Sequence, residues 1–238
     1  MTTDATTAPS GATISLLDSS QLARVGNQLG TNPAGVYADA QGNRYYIKTL
    51  ESLAHARNER VAAALYQLAG APTLEYIDTS DPCQVATRWL ALDKKHLAYF
   101  TDDERLQAQQ WLAVHAWTAN WDAAGYDGDN QGCCNGTVLT LDVGGALAFR
   151  AQGDPKGKAF GTEVNELNSL RTDPDNPNAV RLFGDMNKTE IQQSIERVIR
   201  LPDNQIREVI LAHNGSEKLL LKMLARKADM ASRLMEYQ

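Results

Sequence analysis

Residues 120–153 read NWDAAGYDGDNQGCCNGTVLTLDVGGALAFRAQG. The first part is rich in Asn, Asp and Gly, and it reads as a loop over residues 120–136. Residues 137–141 (TVLTL) are a short β-forming run that ends at Asp142-Val143-Gly144-Gly145. Residues 146–150 are apolar enough to extend that run. Asn130 and Asp142 flank the strand, 12 residues apart. Both carry hard oxygen ligands of the kind that magnesium prefers. Asp122 stands where the loop begins, and Asp127 is a second carboxylate in the same loop.

Working outward, residues 102–119 (DDERLQAQQWLAVHAWTA) predict one helix, whose acidic opening suits its positive N-terminus. His115 falls on its apolar face, where a satisfied core histidine is expected. Residues 53–70 predict an earlier helix, with Val61, Ala62, Leu65 and Leu68 on a 3.6-residue period and a stop at Gly70 and Pro72. Before it, residues 36–48 alternate β-formers about the turn at residues 39–43, a hairpin signal. Residues 73–78 and 84–90 predict two more strands. Residues 151–180 are polar and read as a long surface segment. Beyond them, helices are expected to open at Asn187 or Thr189, after Pro202 and near Ser216. The fold class expected is α+β, in two lobes: a β-rich N-lobe with one helix over residues 14–95, and a helical C-lobe over residues 96–238. Residues 1–13 (MTTDATTAPSGAT) read as a flexible leader.

The composition narrows the chemistry. A length of 238 residues fits one domain or two small lobes. The net charge of −6 argues against a nonspecific nucleic-acid binder, which would carry a basic stripe. No apolar run approaches the roughly 18 residues needed to cross a bilayer. Three cysteines, two of them adjacent, form neither a disulfide framework nor a zinc site. Reduced, cytoplasmic chemistry is expected.

Transfer of a phosphoryl group needs a backbone lid, a cation on the phosphates, oxygen ligands for magnesium and a group that orients the attacking hydroxyl. The chain offers each in order. The lid is residues 30–35 (GTNPAG), with Gly30, Asn32 and Gly35 as nucleotide-binding positions. The cation is Lys48, closing the run Tyr45-Tyr46-Ile47-Lys48. Glu59, 11 residues on and in the following helix, is its expected partner, with Glu51 as competitor. Asn130 and Asp142 are the metal ligands. Asp122 is preferred as the base, with Asp127 second. Arg150, Lys156 and Lys158 follow, where an acceptor groove would lie.

These segments resemble protein kinases. The run ending at Lys48 is similar to the kinase Val-Ala-Ile-Lys strand, and Asp142-Val143-Gly144 keeps the Asp-x-Gly pattern. The lid lacks the kinase glycine spacing, and no His-Arg-Asp is present. Residues 30–48, 58–70, 120–130 and 142–153 look like compact bacterial and phage-borne kinase-like proteins, distantly related to HipA-type and phosphatidylinositol-kinase-type folds. The resemblance implies ATP and Mg2+ as cofactors and a protein substrate, with Ser/Thr phosphorylation by a bacterial effector or toxin as the leading function. Cytoplasmic residence, or injection into a host cell, would follow. Transfer of AMP or glutamate, phosphorylation of a small molecule or lipid, and a catalytically dead binding module are the alternatives.

Overall fold

A computed structural model describes residues 16–30 and 32–237. The expected leader, residues 1–13, lies outside them. No helix among the described residues is long and apolar enough to cross a membrane.

The N-lobe is one antiparallel sheet and one helix. The strands β1 (Ala23–Gly26), β2 (Ala34–Ala38), β3 (Arg44–Thr49), β4 (Tyr76–Ile77) and β5 (Gln84–Arg88) lie in the order β1-β2-β3-β5-β4. The hairpin between β2 and β3 closes where the Asp39 carboxylate accepts the backbone N–H groups of Gln41 and Asn43. Side chains alternate across a strand. Tyr45 and Ile47 therefore join Ala86 on one face, covered by Leu17, Leu22, Tyr37 and Ile77. Tyr46 and Lys48 face the other way, toward the interior of the molecule. The helix α1 (Leu53–Leu68) packs between β5 and a C-lobe helix. Ser52 caps its start. It is buried from Val61 to Tyr66, and it carries Asn58 and Glu59 inward.

In the C-lobe the single helix expected over residues 102–119 is two. α2 (Asp102–Gln109) ends at Gln110, and α3 (Leu112–Trp117) begins after Trp111. The two have different neighbours, which explains the break. α2 lies against the later strand β7 (Thr137–Thr140) and against α5 (Pro177–Phe183). α3 runs through the centre of the lobe, and all of its residues are buried.

Three other expectations are corrected. The loop anticipated over residues 120–136 stops short, because Gln131–Cys134 forms a strand, β6, paired with β7. Asn135 and Gly136 both have positive φ, at 49° and 75°, as a tight two-residue hairpin requires. The strand does not continue past Asp142: residues 144–148 form turns and a bend. The segment 151–180 is not a surface stretch throughout. It contains α4 (Glu166–Thr172) and α5, and buries Phe160, Val164, Leu167, Leu170 and Ala179. The last three helices start where expected. α6 (Lys188–Ile199) opens on a capping box of Asn187 and Glu190, α7 (Asp203–Ala212) follows Pro202, and α8 (Glu217–Arg233) is capped by Ser216.

Arg226 of α8 is fully buried, a costly place for a charge unless every donor is matched. Its guanidinium donates to the carbonyls of Ala116, Trp117, Gly161 and Glu163, and pairs with Glu166 at 2.8 Å. α8 thus holds the C-terminal end of α3, from which the loop at residues 118–130 departs.

Candidate active site

A cleft of about 310 Å³ opens between the lobes. Lys48, Glu59, Asp122, Asn130 and Asp142 all line it, so five residues spread over 95 positions of sequence converge there.

At its base the Lys48 ammonium lies 2.6 Å from Glu59 Oε1 and 3.3 Å from Asp142 Oδ2. Burial alone would pull this ammonium below its ordinary value, but the carboxylates of Asp142 and Glu59 outweigh it and hold Lys48 charged. Glu51, the competing partner, lines the cleft without pairing to Lys48. The Tyr76 hydroxyl donates to Glu59 at 3.2 Å. Burial, with Glu59 beside it, pushes the Tyr76 phenol well up, so it stays protonated and remains a donor.

The Asp142 carboxylate also accepts from the N–H of Gly144 at 2.7 Å. A side chain at position 144 would place a Cβ 3.0 Å from Glu59 Oε2 and 3.1 Å from Asp142 Oδ1. Glycine is needed here for close approach. Gly144→Ala is expected to leave the fold intact while displacing both carboxylates, lowering turnover by roughly 10-fold or more, since small misplacements at a reacting centre are costly. Unchanged turnover with a normal melting curve would contradict this.

Asn58 ties α1 to the same loop. Its amide donates to Ala146 O at 2.8 Å and accepts from Ala148 N–H at 3.0 Å. One turn earlier, His55 Nε2 lies 2.9 Å from Gly153 O, and its ring sits 4.0 Å from that of Phe149. Neither residue was singled out from sequence. The available signal was a run of polar side chains on a helix that is otherwise apolar.

On the opposite wall, α3 ends at Trp117 and Ala119 takes a left-handed backbone, φ 55°. The following Asn120 donates to the Tyr66 hydroxyl at 3.0 Å, and that hydroxyl lies 2.8 Å from His115 Nδ1. This buried chain of side chains joins α1 to α3. From α5, Asn176 donates to Trp121 O and Asn178 to Tyr126 O. Asp122 is therefore held from both ends of its loop. Asn130 Nδ2 donates to Asp122 Oδ2 at 3.0 Å and to Asp122 O at 2.8 Å. Burial, with the Asp142 charge nearby, pushes the Asp122 carboxyl up to about 6. Asp127 also lines the cleft, but no described residue hydrogen-bonds to its carboxylate.

His115 is the core histidine that its helix face suggested. Burial lowers its pKa to about 3, so the folded protein keeps it neutral. The unfolded chain protonates near 6.5. Between those values the unfolded state binds the extra proton, so stability is lost as pH falls, by about 1.4 kcal/mol per unit from this group. Urea unfolding from pH 7 to pH 4 is expected to show that loss, and His115→Asn to flatten it. Equal slopes for the two proteins would refute the assignment.

The lid leaves β1 and returns into β2. Tyr46 holds it: its hydroxyl accepts from Leu29 N–H at 2.9 Å and donates to Leu29 O. Gly30, at φ 79°, and Asn32 line the cleft. Gly35 does not. It sits inside β2 opposite Ile47, where a Cβ would come within 2.9 Å of Arg24 Nε. The glycine there makes room for Arg24. Arg150 lines the cleft, while Lys158 is exposed outside it.

The residues fit a magnesium ion held with phosphates. Among the described residues no group of three or more His, Cys, Asp or Glu could hold a metal. Asp142, Asn130 Oδ1 and substrate oxygens make the kind of partial shell magnesium accepts. Asn130 Oδ1 accepts no hydrogen bond from a described residue, because the amide's donors are turned to Asp122.

No protein-family model matches the chain, and no curated protein is similar to it in sequence. Among solved structures it is similar to a proinflammatory kinase of Helicobacter pylori, CtkA, at 14% identity and a TM-score of 0.59, covering 90% of this chain and 95% of that one. An aminoglycoside phosphotransferase from Alicyclobacillus acidocaldarius also matches, at 13% identity and a TM-score of 0.33, over 99% of this chain and 95% of that one. The second likeness is too loose to bear on the site. The first shows that the fold is protein-kinase-like, with an antiparallel N-lobe sheet and a helical C-lobe.

Proposed function

We propose that the chain is an ATP- and magnesium-dependent phosphotransferase that phosphorylates a hydroxyl of a protein. One observation carries this reading: Lys48, paired to Glu59, reaches Asp142 across the base of a cleft that also holds Asp122 and Asn130. Nothing in the packing of a passive binding module calls for that set.

In this reading Lys48 binds the phosphates of ATP, and Glu59 keeps its ammonium in place. Asp142 and Asn130 would hold magnesium, which would neutralise charge on the phosphate oxygens. Asp122 accepts the proton of the acceptor hydroxyl as that oxygen bonds to the γ-phosphorus. The bond from phosphorus to the bridging β–γ oxygen breaks, and ADP leaves. Its raised pKa matches the task, since a base works best near the operating pH. The motifs at Asn120–Asp122 and Asp142–Gly153 support a distant HipA-type relationship. The Helicobacter pylori neighbour is a proinflammatory kinase, which supports action on a host protein, as an effector or toxin.

The test is a heat-shift titration with ATP and magnesium, followed by incubation with ATP labelled at the α or the γ position. Label incorporated from the γ position alone is the expected result. Retention of α label would mean nucleotidyl transfer. The absence of any nucleotide-dependent shift would overturn the reading.

A further inference from the structure

Lys156 is the cation that the proposed reaction leaves without a task. It follows the cleft residues 149–153, and its side chain turns inward beneath them. The ammonium donates to Ala119 O at 2.6 Å and to Gly145 O at 2.7 Å. No carboxylate lies within ion-pair distance of it among the described residues. The ammonium is part-buried, and burial lowers its pKa to about 7, an effect that the more distant charges of Glu166 and Asp122 only partly offset. A methionine or leucine would fill that space at less cost to folding, so the placement calls for another reason.

The two carbonyls supply it. Ala119 is the left-handed residue at which the chain leaves α3, three positions before Asp122. Gly145 is three positions after Asp142, on the turn that carries it. The backbones meet closely at this point: a Cβ on Gly145 would lie 3.4 Å from the Asp122 Cβ. The ammonium therefore bridges the loop bearing the proposed base and the loop bearing the proposed metal ligand. A neighbouring contact, Leu147 N–H donating to Thr118 O at 2.6 Å, joins the same two loops. That contact is backbone to backbone, and it persists whatever side chain stands at position 156.

We infer that Lys156 is a positioning residue of the transfer site, which sets the placement of Asp122 relative to Asp142 by clamping Ala119 O and Gly145 O. This rests on the phosphotransferase reading. Lys156 touches neither Asp122 nor Asp142 at hydrogen-bond distance, and it acts through the backbone. A lysine suits the role because one compact ammonium reaches two carbonyls from a single point, whereas an arginine spreads its donors over a wide planar fork.

The clamp predicts a split between binding and turnover. In Lys156→Met the pocket for nucleotide survives, because Lys48, Glu59 and the lid are untouched. Turnover falls by about 100-fold, the scale reached when a catalytic group shifts by about 1 Å. The readouts are KM for ATP and kcat, from ADP release with magnesium and with water or the protein itself as acceptor. Both are measured well below the melting temperature of each variant. Ile191→Ala, in α6 and away from the cleft, reports the effect of destabilisation alone, and Lys156→Arg tests whether charge without the right shape restores the rate. The expected result is a kcat loss for Lys156→Met far beyond that of Ile191→Ala, a KM for ATP within threefold of wild type, and incomplete rescue by arginine. An Lys156→Met protein no slower than Ile191→Ala would overturn the inference and leave the phosphotransferase reading standing, as would equal losses in nucleotide affinity and rate. A wild type that neither binds nor turns over ATP would overturn both.

Discussion

Lys48→Met is expected to cost about 3–5 kcal/mol of stability as well as all measurable turnover. The stability loss is the less obvious half. Glu59 is almost fully buried, and the ammonium at 2.6 Å is its only cation among the described residues. Removing one member of a buried pair leaves an uncompensated charge, which is worse than having no pair. Asp142 makes matters harder, because two carboxylates then face each other across the vacated position. For a chain of this length the loss corresponds to a fall of roughly 10 °C in melting temperature. The double variant Lys48→Met/Glu59→Leu separates the two effects. It should recover most of the stability and none of the turnover, and a double-mutant cycle measures the coupling. Should the single variant melt like wild type, the buried ion pair is not formed in solution.

Asp142→Ala is expected to behave in the opposite way. Its side chain is 45% exposed, and its contact with Lys48 is the longer of the two. Stability should change by no more than about 1 kcal/mol, the range of solvent-screened pairs. Lys48 keeps Glu59. Turnover, by contrast, should fall by roughly 1,000-fold or more, since several kcal/mol of charge stabilisation at the phosphates depends on this ligand. The magnesium-dependent part of the ATP heat shift should vanish with it. Retention of more than a tenth of the wild-type rate would show that the metal is held elsewhere. Together the two variants distinguish a residue that both builds and serves the site from one that only serves it.

The helices opening at Ser52, Asn187, Pro202 and Ser216 were legible because each start is local. A capping side chain or a proline marks it within a few residues of an apolar period. The β2–β3 hairpin was legible for the same reason. The break at Trp111 was not, because it reflects what α2 and α3 pack against, and those partners lie far off in sequence. Strand β6 was missed although Asn135-Gly136 is a strong hairpin signal, since Gln131-Gly132-Cys133-Cys134 has little β-propensity of its own. α4 and α5 were hidden by polar composition, their buried residues being few and widely spaced.

For the cleft, the residue types and their order fixed which groups could do chemistry: an ammonium, a helical carboxylate, and an Asn and Asp flanking a strand. Their convergence in one cleft was an expectation, and only the fold brought it about. The period of two along β3 sends Lys48 inward, and α1 then sets Glu59 against it. What no local pattern could show is the support behind them. Asn58, His55, Tyr66 and Lys156 hold backbone or side-chain groups far off in sequence, through bonds whose partners exist only once the lobes have packed. Gly35 is the converse case: its neighbours place it in the lid, and only the tertiary structure shows that a Cβ there would meet Arg24 in the sheet. Short-range spacing determined the parts, and long-range packing decided which of them meet and how firmly they are held.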